Sequence, residues 1–188
     1  GVFYPDYFGK DFVLNDLTHD GGLTAIRIEG PTNSVDQRAN RLSKELGLLD
    51  QELSILDSEQ SNIFWRRTKN LEVFKSLKSN LLRIVLPMSE TLQVVQKLKN
   101  FEIKYFIDWG GGLIWASFDQ LNTKILSEIK DTVKKHQGYI TLIKVEEDLK
   151  ASADIFTIDP IKYKISEKIK RSFDPKRIFN PGKMYTGI

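Results

Sequence analysis

Four side chains in this sequence carry charge or aromatic surface in a pattern suited to binding: Arg27, Arg83, Trp109 and Trp115. Arginine offers a planar fork of donors that matches carboxylate or phosphate, and indole offers a stacking face. Strand alternation that sends Ile26, Ile28, Leu82, Ile84 and Leu86 beneath covering helices puts these four on the opposite sheet face. A shift of one residue at the hairpin inverts that placement. A second concentration lies near the end of the chain. From Ile161 to Ile188 there are eight basic residues, Lys162, Lys164, Lys168, Lys170, Arg171, Lys176, Arg177 and Lys183, against Glu167 and Asp174. That segment is +6 in a chain of net charge +3, so the remainder carries −3. Two readings stay open: a solvated basic helix, or a basic end that meets an anion such as a phosphate or an acidic partner.

Other chemistry is excluded by composition. With no Cys there is no disulfide, thiolate metal site or cysteine nucleophile. His19 and His136 are the two histidines, too few for a multi-histidine metal centre, and both read as solvent-side residues. No residue stands out as catalytic and no metal is expected. The Gly110–Gly112 run joins two strands rather than opening a helix, so it is not a phosphate loop.

The elements that must position these residues come from an ordinary soluble composition. Of 188 residues, 40% are apolar and 28% charged, which fits a folded chain of one or two domains. A net charge of +3 is too mild to imply nucleic acid or membrane by itself. No apolar run approaches the ~20 residues of a membrane helix, and no signal sequence opens the chain. Its first residue is Gly, which suggests a processed chain or a fragment.

Residues 1–20 are aromatic-rich but aperiodic and read as an arm that packs on something else. Leu23 to Glu29 alternates as a strand, stopped by Gly30-Pro31. Ser34 and Gln37 have capping-box spacing for a helix with Val35, Ala39, Leu42 and Leu46 on one face and Gly47 as its stop. Residues 48–61 read as an acidic loop, and Asn62 to Phe74 as a short inserted helix carrying Phe64-Trp65. Leu81 to Leu86 is a strand ended by Pro87, and Ser89 caps a helix with Leu92, Val95 and Leu98 on one face. Ile103 to Trp109 and Leu113 to Phe118 form a hairpin. Ile125, Ile129 and Val133 mark a helix closed by Gly138, and Tyr139 to Val145 is the last strand. The fold class is therefore α+β: a ferredoxin-like antiparallel sheet with helices on one face, an inserted helix, and a C-terminal helix and tail. The expected domains are an arm over 1–20, a ferredoxin-like domain over 21–150 and the C-terminal segment over 151–188.

That last segment is the most strongly punctuated. Asp159-Pro160 is a cap with a first-turn proline, Ile161, Ile165 and Ile169 make one apolar stripe, and Pro175 stops the helix near Phe173. Two Asx-Pro turns then frame Ile178-Phe179, and Gly182 can take positive φ. The ending KRSFDPKRIFNPGKMY (170–185) resembles the terminal motif of FAD-linked oxidases of the vanillyl-alcohol oxidase type. Further pieces look like the small flavin-binding component of bacterial glycolate oxidases: HDGGLTAIRIEG (19–30), the Phe64-Trp65 helix, LLRIVLP (81–87) and IDWGGGLIW (107–115). The resemblance runs in order over about residues 15–185.

The resemblance implies the C-terminal cap, or substrate-side, domain of an FAD-dependent 2-hydroxy-acid (glycolate) oxidase, an oxidoreductase acting on CH–OH. FAD would be held mainly by a domain on the N-terminal side, so this chain alone is expected to be inactive. Carried over, Asn180 and Lys183 are the cofactor-side candidates, with Phe173 and Phe179 as packing anchors. Removing hydride from a 2-hydroxy acid also requires a cation for the carboxylate, for which Arg83 is the candidate and Arg27 the second. The H-x-G-D-G-N-x-H motif of related catalytic subunits does not occur. Implied partners are the FAD-binding domain of the same polypeptide, other glycolate oxidase subunits and a small 2-hydroxy acid, with no nucleic acid. The implied location is cytoplasmic, peripheral at the inner membrane through partner subunits. Two other classes fit the residues: a regulatory domain dimerising through an open sheet face, and a nucleic-acid module, which lacks an RNP-type aromatic pattern.

Overall fold

The computed structural model describes residues 1–8, 21–47, 53–75, 80–147, 149, 154–156, 159–183 and 185. His19 lies outside them. The chain forms two compact units, residues 1–76 and 77–188.

In the first unit, strand β1 (Val2–Tyr4) pairs antiparallel with β2 (Leu23–Ala25). Helix α1 (Thr32–Glu45) and helix α2 (Ser58–Lys69) follow. The expected arm thus contains a strand, and its aromatics form the core of the unit. The Tyr4 hydroxyl donates to Thr68 Oγ1 at 2.9 Å, and the Tyr4 ring meets Phe8 and Phe64 edge-on. Phe8 in turn meets Phe74 edge-on. Edge-to-face aromatic pairs add about 0.5–1.5 kcal/mol each beyond their burial.

Three local expectations need correction here. The strand stops at Ala25, leaving Ile26 and Arg27 exposed, so these residues are not placed by strand alternation. Helix α1 begins at Thr32 after Pro31, and Ser34 does not cap it, because Pro31 O already accepts from Ser34 N and Val35 N. The capping box belongs to α2: Asp57 accepts from Gln60 N while Gln60 Oε1 accepts from Asp57 N. Helix α2 ends at Lys69, short of Phe74, as Leu71 turns to φ 53°.

The second unit is built on β3 (Asn80–Val85), α3 (Thr91–Leu98), β4 (Ile103–Asp108), β5 (Leu113–Phe118), α4 (Thr123–Lys135) and β6 (Tyr139–Lys144). The strands run β4-β5-β3-β6, each pair antiparallel. This is the ferredoxin-like α+β arrangement, and it lies wholly in the second unit. Leu82, Ile84, Ile114, Ala116, Phe118 and Ile140 share one sheet face and are buried, as are Val94, Val95 and Leu98 of α3 and Leu126, Ile129 and Val133 of α4. The α3 stripe runs through Thr91 and Val94 rather than Leu92, which is exposed.

Helix α4 ends differently from the sequence signal. Gln137, not Gly138, takes the left-handed conformation, at φ 58°. Gly138 is required for a steric reason: a Cβ there would sit 2.7 Å from Val133 Cγ1 and 2.8 Å from Val85 O. Because the second neighbour is backbone, relief needs the strand itself to move. Gly138→Ala is expected to destabilise the chain by about 1–3 kcal/mol, read from chemical denaturation.

A short segment continues the sheet edge, with Phe156 bridged to Thr141 and Ile155 O accepting from Leu142 N at 2.8 Å. Helix α5 (Pro160–Phe173) then leads to the tail. Its cap is as expected: Asp159 accepts from Ile161 N at 2.8 Å, with Pro160 in the first turn. Among the described residues no helix is long and apolar enough to cross a membrane.

Candidate functional site

The register fixes which face each strand residue occupies. Arg83 lies opposite Trp115 on one side and Thr141 on the other, and Trp115 lies opposite Phe106. A row of Phe106, Trp115, Arg83 and Thr141 therefore crosses the face away from Leu82 and Ile84. The Phe106 and Trp115 rings are 6.5 Å apart. This face is not open from edge to edge. Phe106, Leu113 and Ser117 are buried, whereas Arg83, Trp115 and Thr141 are half-buried and Tyr139 is exposed. The accessible part is centred on β3 and β6.

Trp109 joins Arg83 from the hairpin. It starts the turn Trp109–Gly111, where Asp108 Oδ1 accepts from Trp109 N at 2.7 Å and Thr91 Oγ1 donates to Gly111 O. The Arg83 guanidinium carbon lies over the Trp109 ring, 4.8 Å from its centroid. No carboxylate pairs with Arg83 among the described residues. A half-buried arginine stacked on indole and lacking a carboxylate is a ready acceptor for an anionic ligand. Arg27 is different. It lies in the first unit and is already paired with Glu29 at 2.5 Å.

At the tail, the residues expected to act on a cofactor are exposed. Asn180 holds φ 47° and its carbonyl accepts from Lys183 N at 3.3 Å. Neither side chain is drawn into the fold. Phe173 and Phe179, expected as anchors, are also exposed, as is Ile178. The isoleucine stripe of α5 joins them. Ile161, Ile165, Ile169, Phe173, Ile178 and Phe179 are each between 53% and 85% exposed, while Tyr163 and Lys170 face inward. Six large apolar side chains in one surface run are far more than a free-standing surface usually shows.

The residue that organises this surface is Asp174, which sequence reasoning passed over. Its carboxylate accepts from Ile178 N at 3.0 Å and Phe179 N at 2.9 Å, and pairs with Lys170 at 2.7 Å. Lys170 Nζ also donates to Phe179 O. The clamp folds 174–179 into a closed turn that pushes Ile178 and Phe179 outward. The available signal was Asp followed four and five residues later by the apolar pair, the spacing of a side chain that accepts from a turn's own backbone.

The Lys170 hydrogen bond, aided by those backbone donors, holds the Asp174 carboxyl down to about 2. A depressed carboxyl contributes stability that is fully present above its unfolded value of about 4 and is lost as pH falls through its folded value. The tail turn is therefore expected to stay intact at pH 4 and to open towards pH 2. Amide NMR signals of Ile178 and Phe179 should collapse together in that window, and Asp174→Asn should weaken them already at neutral pH.

His136 corrects another expectation. It is 9% exposed, with Nδ1 2.6 Å from Glu90 Oε2 and Nε2 2.8 Å from Lys97 Nζ. Both ring nitrogens are thus engaged, Nδ1 with the Glu90 carboxylate and Nε2 with the Lys97 ammonium. It ties the end of α4 to α3. Lys130 is the other perturbed group; partial burial lowers its pKa and Asp154 opposes this. Among the described residues there is no group of three or more His, Asp or Glu placed to hold a metal.

No protein-family model matches the chain. It is similar to the Escherichia coli (strain K12) protein named glycolate oxidase subunit GlcE, with 26% identity over 178 residues. The match takes in 93% of this chain but 42% of that protein, so the chain spans less than half of its relative. The molecule is a ferredoxin-like α+β domain distantly related to a glycolate oxidase subunit.

Proposed function

We propose that this chain is the substrate-side domain of an FAD-dependent 2-hydroxy-acid oxidoreductase, seated against a flavin-binding domain and inactive without it. The observation that carries the reading is the uncovered run on α5 and the tail, held in shape by Asp174. Rigid, exposed aromatic and aliphatic anchors are what a docked interface uses, because little conformational freedom is lost when they bind. The distant relationship to a glycolate oxidase subunit more than twice as long supplies the chemical class of the partner.

A flavin held by the partner domain would supply hydride acceptance, and this chain's own residues bind and orient the substrate. Arg83, stacked on Trp109 and cross-strand to Trp115, receives the substrate carboxylate through two parallel N–H donors. Asn180 and Lys183 face the cofactor domain, the amide hydrogen-bonding and the ammonium drawn to anionic oxygens. Such a protein would work with other oxidase subunits in the cytoplasm and meet the inner membrane through them.

Amide hydrogen exchange tests the docking. With the chain joined to its flavin-binding region, amides at the end of α5 and in the tail should exchange at least tenfold more slowly than in the chain alone. Equal exchange in the two forms contradicts the reading.

A further inference from the structure

The hairpin between β4 and β5 holds an anomaly. Trp109, a bulky exposed residue, sits at φ 54°, in the left-handed region that favours glycine, ahead of Gly110 and Gly111, which also take positive φ (62° and 112°) without the penalty of a side chain. Asp108 accepts from its backbone N–H and Thr91 holds the carbonyl of Gly111, so the surroundings enforce the conformation. The residue is 57% exposed, so burial does not explain why tryptophan is there. The strained backbone does one visible thing: it places the indole against the Arg83 guanidinium. Strain enforced by neighbours and without a packing reward points to function.

We propose that Trp109 is the positioning residue of the Arg83 site and presents its N–H edge to a carboxylate. With one guanidinium face covered by indole, an incoming anion is directed to the N–H edge, the geometry in which a carboxylate makes two parallel hydrogen bonds. Trp115 is the cross-strand neighbour of Arg83, so indole flanks the guanidinium both from the hairpin and from β5. The inference rests on the assignment of Arg83 to a substrate carboxylate.

The test uses the 188-residue chain and sodium glycolate as probe, following the Arg83 Nε–H NMR signal against sodium chloride at matched ionic strength. In the natural sequence the signal should shift saturably with glycolate. Trp109→Gly should weaken that binding about fivefold to tenfold, while Trp109→Phe restores most of it. Glycine also relieves the left-handed strain, so Trp109→Gly should leave Tm unchanged or raise it by up to about 4 °C. Loss of affinity without loss of Tm marks a positioning role. If glycolate shifts Arg83 equally in the natural and Trp109→Gly chains, or if the glycine variant melts several degrees lower, the role of Trp109 is overturned while the Arg83 assignment stands. If glycolate leaves Arg83 unmoved in the natural chain, the Arg83 assignment fails and this inference with it.

Discussion

Phe179→Glu and Ile165→Glu, made together in the chain joined to its flavin-binding region, are expected to leave both parts folded and to abolish the slowed amide exchange of α5 and the tail. Both side chains are exposed here, so neither change opens a cavity or buries a charge within this chain. In a docked interface the same carboxylates would be desolvated against apolar surface. Buried anchors of this kind are each worth at least ~2 kcal/mol, so the pair should weaken docking by a factor on the order of 10³. The sign of the charge points the same way. Lys162, Lys164, Lys168, Lys176, Arg177 and Lys183 are exposed with no carboxylate partner among the described residues, which favours an acidic rim on whatever covers the stripe. The same basic rim disfavours a second copy of this surface as the occupant, since like charges would face each other. Circular dichroism of the isolated variant chain should match the natural one. Amide exchange as slow in the joined variant as in the natural joined chain would remove the docking role from α5 and the tail.

Arg83→Met is expected to raise KM for the 2-hydroxy acid about 10- to 100-fold in the complete flavoprotein while changing kcat much less. Hydrogen bonds to charged groups contribute roughly 1.5–3 kcal/mol, which converts to that range for the loss of a carboxylate clamp. Methionine retains most of the stem that packs between Trp115 and Thr141, so the sheet should hold. Arg83→Lys keeps the charge but not the fork, and should recover part of the affinity only. Arg27→Met serves as the contrast: Arg27 is exposed and paired with Glu29, so its loss should leave KM within about twofold. An Arg83→Met enzyme with unchanged KM would assign the substrate cation elsewhere.

The ferredoxin-like sheet was legible because each of its strands shows alternation or a β-rich run bounded by Pro or Gly, and because two amphipathic helices separate them in the right order. Arg83 and Trp115 were placed on a shared face by period alone, and the register pairs them directly. What failed did so for identifiable reasons. The alternation of Leu23 to Glu29 runs beyond Ala25, the last residue paired with β1. Ser34 and Gln37 had the spacing of a capping box but not its position, because Pro31 set the helix start. Periodicity marked the α5 stripe as one apolar face but says nothing about what covers it, and Phe173 and Phe179, expected as packing anchors, are exposed. Burial of His136 depends on Glu90 and Lys97, 46 and 39 residues away, which no local pattern connects. Asp174 was visible as part of an Asx-Pro turn, but its hold on Ile178 and Phe179 is a matter of geometry. The conformation of Trp109 was hidden because the glycines after it account for a turn by themselves, whereas the structure extends positive φ from Gly110 and Gly111 back to Trp109.

The central claim is that this domain closes against a flavin held by an adjoining domain. The most direct measurement is the visible absorption spectrum of the chain purified together with the region encoded immediately upstream of it. Oxidised-flavin bands at about one flavin per chain, bleached when glycolate is added without oxygen, are the expected result. A folded but colourless protein, unchanged by added FAD, would contradict the account.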